Sequence, residues 1–372
     1  MKVTVERAEL LKSLGHVHRV VERRNTIPIL ANVLVKAEKA SLSLKATDLD
    51  LEVIESIAAE VSPPGATTVP AHMFYEIVRK LPEGSQVVLE SSSDRAVLAV
   101  RAGRSRFTLQ TLPESDFPDL APGDMTHKFT LAGADLKRLI DKTQFAISTE
   151  ETRYYLNGIY LHLAGAGKTQ TLRGVATDGH RLAQADLEVP AGAAGMPGVI
   201  VPRKTVIEVQ RLIEDNASDV SLELSSSKIR FTIGNVVLTS KLIDGTFPDY
   251  QRVIPSGNDK ELTVDKKDFK AAVDRVSTVS SERGRAVKLA LSAGKLILSV
   301  TNPDSGSATE EIEVDYEADP IDIGFNSRYL LDIADQLDGE VAVLRLADPG
   351  SPTLIEDKDA KGALYVLMPM RV

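Results

Sequence analysis

The sequence predicts an α+β protein of three tandem, like domains, each made of two copies of a strand, a helix and three strands. Repetition is the first reason. Residues 2–14 (KVTVERAELLKSL), 128–140 (KFTLAGADLKRLI) and 261–273 (ELTVDKKDFKAAV) share a short alternating strand running into a helix. A second set comprises VPAHMFYEIVRKL from Val69, VPRKTVIEVQRLI from Val201 and GFNSRYLLDIADQL from Gly324. RFTLQTLPESDFPDL (106–120) and VVLTSKLIDGTFPDY (236–250) form a third. The offsets, about 125–133 residues, suit whole domains and are too long for a solenoid. Length is the second reason, because 372 residues exceed what one hydrophobic core holds. The third is helical periodicity: Phe74/Ile77/Val78/Leu81, Phe269/Ala272/Val273/Val276 and Leu330/Ile333/Ala334/Leu337 recur at i, i+3, i+4, i+7. Such helices lay one apolar stripe on a sheet and leave the other face free, which places helices on one side and antiparallel sheets on the other.

In order along the first third, a strand at 3–5 leads into a helix over 6–24. Strands follow at 29–37, 41–46 and 51–59, and PPGATTVP turns the chain into a helix over 71–81. Strands at 86–91, 96–101 and 106–112 complete the domain, separated by turn signals at Pro82-Glu83-Gly84 and 91–94. The other candidate helices are 134–143, 203–215, 265–276 and 327–337. Boundaries fall just after each FPD segment, giving domains 1–126, 127–258 and 259–372.

Composition narrows the function. Hydrophobic residues make up 43% and charged residues 26%, as in ordinary globular proteins. Cysteine is absent, which excludes disulfides, thiolate catalysis and Cys-based zinc sites. No run approaches 18 apolar residues and the N-terminus has no signal-peptide core, so a cytoplasmic protein without membrane contact is expected. The net charge of −9 argues against nucleic acid as a partner, but its distribution does not. The candidate helices together carry a basic excess and the rest of the chain the acidic balance. On the first helix Lys12, Arg19 and Arg23 fall in one stripe at 100° per residue, opposite Leu10, Leu14, Val17 and Val21.

Motifs for chemistry are weak. Gly165, Ala166, Gly167, Lys168 and Thr169 look like the end of a phosphate-binding loop, but His162 stands where its first glycine belongs. The flanking segments read as two strands of a hairpin. Nucleotide binding through this turn is the alternative function. His16 and His18 are two apart on a helix and face different ways, which makes a poor metal pair; no metal or other cofactor is expected. Asp178 and His180 in ATDGHRLA have no activated nucleophile beside them. The apolar C-terminus, residues 365–372 (YVLMPMRV), fits both a closing strand and an adaptable peptide-binding surface.

The blocks MKVTVERAELLKSL, IPILANVL, PGATTVPA, GRSRFTLQTLPESDFPDL, RYYLNGIYL, VATDGHRLA, VIVPRKTVIE, TSKLIDGTFPDY, IGFNSRYLLD and YVLMPMRV occur in one order along the whole chain. In them the chain resembles the bacterial DNA polymerase III β subunit, the replication sliding clamp. The resemblance implies three DNA-clamp domains, helices lining the inside and antiparallel sheets outside, and two chains joined head to tail in a ring around duplex DNA. It implies processivity without chemistry of its own, nucleotidyl transfer belonging to the polymerase. Implied partners are double-stranded DNA, a second copy, the replicative polymerase, the clamp loader, and other polymerases and repair proteins that dock a short peptide with glutamine and spaced apolar residues.

Carried over residue by residue, Arg24, Tyr154 and Tyr155 match DNA contacts, and the basic stripe adds Lys12. Glu150 in Ser148-Thr149-Glu150 departs from relatives that carry His-Gln there and would repel phosphate. The peptide pocket is matched by Leu156, Thr177, Gly179, His180, Arg181, Leu182, Pro248, Arg252 and Val253 of the second domain, and by Asn326, Tyr329, Val366, Met368, Pro369, Met370 and Arg371 of the third. Gly350 and Pro352 stand at its rim where some relatives carry bulkier or hydroxylated residues. The subunit interface is matched by Arg104, Arg106, Phe107 and Leu109 at one end, and by Thr278, Val279, Glu310, Glu311 and Glu313 at the other.

Overall fold

A computed structural model gives the fold, and it describes the chain apart from residues 93, 122, 216–217 and 282–284. Six helices, α1 (Arg7–Val17), α2 (Ala71–Lys80), α3 (Gly133–Thr143), α4 (Arg203–Asp215), α5 (Lys266–Ser277) and α6 (Ser327–Gln336), each follow one strand and precede three. The strand–helix–three-strand unit thus occurs six times, as the repeats predict. Two short strands, Glu60–Val61 and Asp315–Tyr316, stand outside the pattern.

The chain forms two compact units, and the central repeat contributes to both. The first unit holds a five-stranded sheet, ordered Glu60–Val61, Lys2–Glu6, Gln86–Ser92, Val97–Ala102, Ser105–Gln110. Its eight-stranded sheet runs His127–Leu131, Val220–Leu224, Lys228–Ile233, Val236–Lys241, Leu51–Ala58, Ser41–Thr47, Asn32–Glu38, Gly65–Pro70. The second unit holds a nine-stranded sheet: Val199–Pro202, Gly158–Ala164, Thr171–Thr177, Arg181–Glu188, Ala363–Leu367, Thr353–Asp357, Val341–Leu346, Lys260–Asp265, Asp315–Tyr316. Its four-stranded sheet runs Gly306–Glu313, Lys295–Asn302, Ala286–Ser292, Ile321–Asn326. In each repeat the strand before a helix pairs with the other half's three strands. Lys2–Glu6 lies against Gln86–Ser92, and Gly65–Pro70 against Asn32–Glu38. This exchange locks the two halves of a domain together.

Sheets also continue from one repeat into the next. The last strand of the second repeat, Val236–Lys241, pairs antiparallel with Leu51–Ala58, the last strand in the first half of repeat one. The last strand of the third repeat, Ala363–Leu367, pairs in the same way with Arg181–Glu188, the last strand in the first half of repeat two. By that rule two strands remain without a partner from another repeat, Ser105–Gln110 of repeat one and Gly306–Glu313 of repeat three, and each is a sheet edge.

The cores lie between helices and sheets. Leu10, Leu14, Val17 and Val21 of the first segment are buried, as are Phe74, Val78, Phe269, Ala272, Val273, Val276, Leu330, Ile333, Ala334 and Leu337. α1 packs on α2 and α5 on α6. Two expectations need correction. The first helix ends at Val17, not Arg24: a 3-10 turn spans His18–Val20 and Val21 is extended. Burying both β-branched neighbours Val20 and Val21 takes the chain off the helix, so Arg19 and Arg23 do not continue the stripe of Lys12. The strand expected at 29–37 begins at Asn32, because Pro28 opens a 3-10 turn, Pro28–Ala31.

Candidate functional site

Two features of the sequence assemble the site in the second unit. The first is the hairpin between Thr171–Thr177 and Arg181–Glu188. Asp178 Oδ1 accepts the amides of His180 (2.9 Å) and Arg181 (3.0 Å), and Thr177 Oγ1 donates to the Arg181 carbonyl at 2.7 Å. Gly179 sits at φ +88°, a left-handed conformation that favours glycine. The second is the C-terminal strand, which pairs Arg181 with Leu367 and Leu182 with Val366. The Met368 amide then donates to the His180 carbonyl at 2.9 Å. Residues 177–182 and 366–370 therefore lie side by side.

Behind them is a packed cluster of Leu156, Val175, Leu182, Ile200, Phe247, Tyr250 and Val366. The FPDY segment anchors its far wall. Phe247 stacks on Tyr160 with ring centroids 4.9 Å apart. The Tyr250 hydroxyl lies 3.0 Å from His162 Nε2 and accepts from Arg173 Nη1 at 3.3 Å. Arg173 in turn makes a two-pronged pair with Asp186 (2.7 and 2.8 Å), which raises its already high pKa. This fixes the turn Tyr250–Val253 and leaves Pro248, Arg252 and Val253 exposed.

The matched pocket residues thus divide in two. Met368 and Met370 are exposed large apolar side chains, as is Val253. Leu156, Leu182 and Val366, expected as pocket wall, are buried in the cluster: strand alternation turns Leu182 and Val366 inward, and Leu156 joins them from the end of the 3-10 turn Glu151–Leu156. Arg181 is also mostly withdrawn, its side chain only 10% exposed. Its guanidinium donates to Asp178 Oδ2 (3.1 Å), Asp332 Oδ2 (2.6 Å) and the Phe145 carbonyl (2.7 Å). It lies over the rings of Phe145 (5.0 Å) and Tyr329 (4.2 Å). Asn326 caps α6 through Oδ1, which accepts the amides of Arg328 (3.0 Å) and Tyr329 (3.4 Å).

A cleft of about 650 Å³ adjoins this surface. His180, Arg181, Asn326, Tyr329 and Met370 line it, together with residues the sequence reading passed over, among them Phe145, Arg203, Arg285, Arg328 and Asp332. The signal for these was weak, since they come from four separate segments and share no motif.

The other candidates are placed as follows. Lys12 and Arg24 are exposed in the first unit, Arg24 in an irregular segment rather than on α1. Tyr154 is exposed and Tyr155 half-buried in the second unit, their rings 5.7 Å apart edge to face. Glu150 pairs with Arg153 at 2.7 Å, and that bond holds its carboxyl below the usual range. The phosphate repulsion expected of Glu150 is therefore offset locally. Arg104, Arg106 and Phe107 are exposed on or beside the edge strand Ser105–Gln110, but Leu109 points into the core at 4% exposure. Thr278 and Val279 follow α5, and the strand Gly306–Glu313 carries Glu310, Glu311 and Glu313, with Glu310 paired to Arg275 and Glu311 to Lys295. The turn at Gly165–Thr169 joins two strands of a hairpin, Ala164 opposite Thr171, and no helix follows it.

Six like half-domains, a sheet junction of one form at each boundary between repeats, and exposed methionines beside a packed apolar cluster define a clamp-type binding protein. The chain matches the models of the DNA polymerase III beta subunit over all three domains: N-terminal at 1–121, central at 130–249 and C-terminal at 251–371. It is 55% identical to the beta sliding clamp of Caulobacter vibrioides strain NA1000 and 42% to that of Escherichia coli K12, with both chains covered completely in each case. Among solved structures, the sliding clamp of Bartonella birtlesii bound to griselimycin is 58% identical at a TM-score of 0.97, covering 100% of both chains. The Caulobacter crescentus beta sliding clamp with polyethylene glycol is 55% identical at 0.98, covering 100% of this chain and 99% of the other. The chain belongs to the DNA polymerase III beta subunit family, and it is a sliding clamp, a non-catalytic processivity factor of DNA replication. Nucleotidyl transfer is the polymerase's chemistry and is not assigned to this chain. Among the described residues no helix is long and apolar enough to cross a membrane.

Proposed function

We propose that two copies close head to tail into a ring around duplex DNA through the edges Ser105–Gln110 and Gly306–Glu313. One observation carries this reading. Both junctions between repeats join the last strand of one repeat to the last strand in the first half of the repeat before it. The same rule applied once more pairs repeat one of one copy with repeat three of another. A second such junction returns to the start and leaves neither of these two strands unpaired. Arg104 and Arg106 then face Glu310, Glu311 and Glu313, with Phe107, Thr278 and Val279 as the less polar contacts, so opposite charge sets register and partner.

Domain limits at 1–126, 127–258 and 259–372 suit this division, since strands His127–Leu131 and Lys260–Asp265 open the second and third repeats. Lys12, Arg24, Tyr154 and Tyr155 touch the DNA backbone. Phosphate contacts carry no sequence information, so they let the ring translate. The floor of Leu156, Leu182 and Val366, framed by Thr177, Gly179, His180, Arg181, Pro248, Arg252 and Val253 on one side and Asn326, Tyr329, Met368, Pro369, Met370 and Arg371 on the other, takes the docking peptide of polymerase, clamp loader and repair proteins. The ring works in the cytoplasm, at the nucleoid.

Retention on DNA tests the ring. Loaded on nicked circular DNA, the protein remains through a salt challenge and leaves once the circle is cut. Equal loss from circular and linear templates rejects topological linkage.

A further inference from the structure

The cleft beside the peptide pocket carries three arginines that have no partner among the described residues. Arg203, Arg285 and Arg328 line it, and among the described residues none of their side chains makes a hydrogen bond or ion pair. The carboxylates that line the same cleft are already engaged: Asp178 and Asp332 hold Arg181, and Glu150 holds Arg153. The lining is therefore left with uncompensated positive charge in a protein whose net charge is −9. Helix stability does not explain the placement. Arg203 is the first residue of α4 and Arg328 the second of α6, at helix ends that disfavour cations, and neither first turn holds an acid. α5 also opens on cations, Lys266 and Lys267, but there the N-cap Asp265 and Asp268 stand beside them.

The cleft is continuous with the pocket, since His180, Asn326, Tyr329 and Met370 belong to both. Phe145, Ile147 and Tyr329 give it apolar walls, which suit a peptide backbone and side-chain stems more than a bare phosphate. We infer that Arg203, Arg285 and Arg328 form a subsite for acidic residues flanking the docking motif, so that partners with an Asp or Glu beside the apolar anchor outcompete those without one. The inference rests on the peptide-pocket reading and adds a specificity element to it.

Three fluorescent peptides test it, sharing one anchor of glutamine and spaced leucines, with neutral flanks, an acidic pair on the amino side or an acidic pair on the carboxyl side. Titrated into the full chain at low salt, one acidic peptide binds roughly tenfold tighter than the neutral one, the worth of about one charge-assisted contact. In R285Q/R328Q, and more completely with R203Q added, that advantage falls to about twofold or less by loss of the same contact, while the neutral peptide binds as before. Equal affinities of all three peptides for the unaltered chain overturn the inference and leave the pocket standing. Binding by none overturns both readings. An acidic advantage that survives the triple substitution removes these arginines from it. A single-stranded oligonucleotide that displaces the acidic peptide alone assigns them to phosphate and also overturns the inference.

Discussion

The amide of Met370 donates to the carbonyl of Gly324 at 2.7 Å, and this one bridge ties the C-terminal tail to the strand that leads into α6. A Cβ on Gly324 would meet the side chain of Val372 and lie 2.7 Å from the Met370 carbonyl oxygen. The position needs glycine for close backbone approach and not for backbone conformation. Gly324→Val is expected to push residues 370–372 off the strand. The fold should survive, because Tyr365, Val366 and Leu367 stay buried in their own strand. Peptide affinity should fall about tenfold, the loss of one anchoring contact. Circular dichroism checks the fold and a peptide titration the site; unchanged affinity removes the tail from the pocket.

Arg181 holds the polar side of the same surface together through Asp178, Asp332 and the Phe145 carbonyl. Its removal leaves two carboxylates short of a partner in a half-buried setting. Arg181→Ala is expected to destabilise the second unit by about 2 kcal/mol, less than a fully buried pair because Asp332 keeps some water. Arg181→Lys should recover little, since the three acceptors are met by three separate guanidinium nitrogens, and a compact ammonium has neither that spread nor a planar face to lie over two rings. Thermal melts of the three proteins decide it, and an Arg181→Lys melt matching the unaltered chain refutes the bridging role.

Phe107 and Leu109 lie two apart on the strand Ser105–Gln110, yet differ in burial, 38% against 4% exposed. Their substitutions should therefore separate assembly from stability. Phe107→Glu should leave each chain folded and shift the dimer towards monomer in sedimentation, because it places an acid opposite Glu310 and Glu311. Leu109→Ala should instead cost about 3 kcal/mol of stability through the cavity it leaves. A Phe107→Glu protein that stays dimeric excludes this edge from the interface.

The sixfold strand–helix–three-strand order was legible because the repeats and the helix stripes are written in local spacing. The exchange of leading strands was not. Nothing near Lys2–Glu6 says that it pairs with Gln86–Ser92 rather than with its own half, since both offer the same alternating pattern. At the site, the YVLMPMRV tail and the ATDGHRLA turn marked themselves by composition. The inward turn of Leu156 and the tying up of Arg181 did not, because they depend on partners more than a hundred residues away, Val366 and Asp332. Arg203, Arg285 and Arg328 read as ordinary surface charges until the fold placed them around one cleft.

Two histidines set the pH response of the separate units. His18 donates through Nδ1 to the Leu14 carbonyl and stacks on Tyr75 at 3.9 Å; burial, with help from His72 and Arg19, lowers its pKa. His162 faces the Leu163 carbonyl through Nδ1, so Nε2 is left to accept from Tyr250; burial lowers its pKa too, assisted by Arg173 and partly opposed by Asp186. In the unfolded chain both rings titrate near about 6.5. Their folded values lie below that, so as pH falls the unfolded state takes up protons first, and stability drops below about pH 6.5 until the folded rings also protonate. Carboxylates held low, such as Glu150, act only in a more acidic window, below about pH 4.5. Urea midpoints at pH 8 and pH 5.5 should therefore differ, the lower pH being the less stable. His162→Gln, which keeps an acceptor for the Tyr250 hydroxyl, should flatten the response of the second unit and leave that of the first. A second-unit midpoint that still drops in His162→Gln as it does in the unaltered chain would assign the response to other groups.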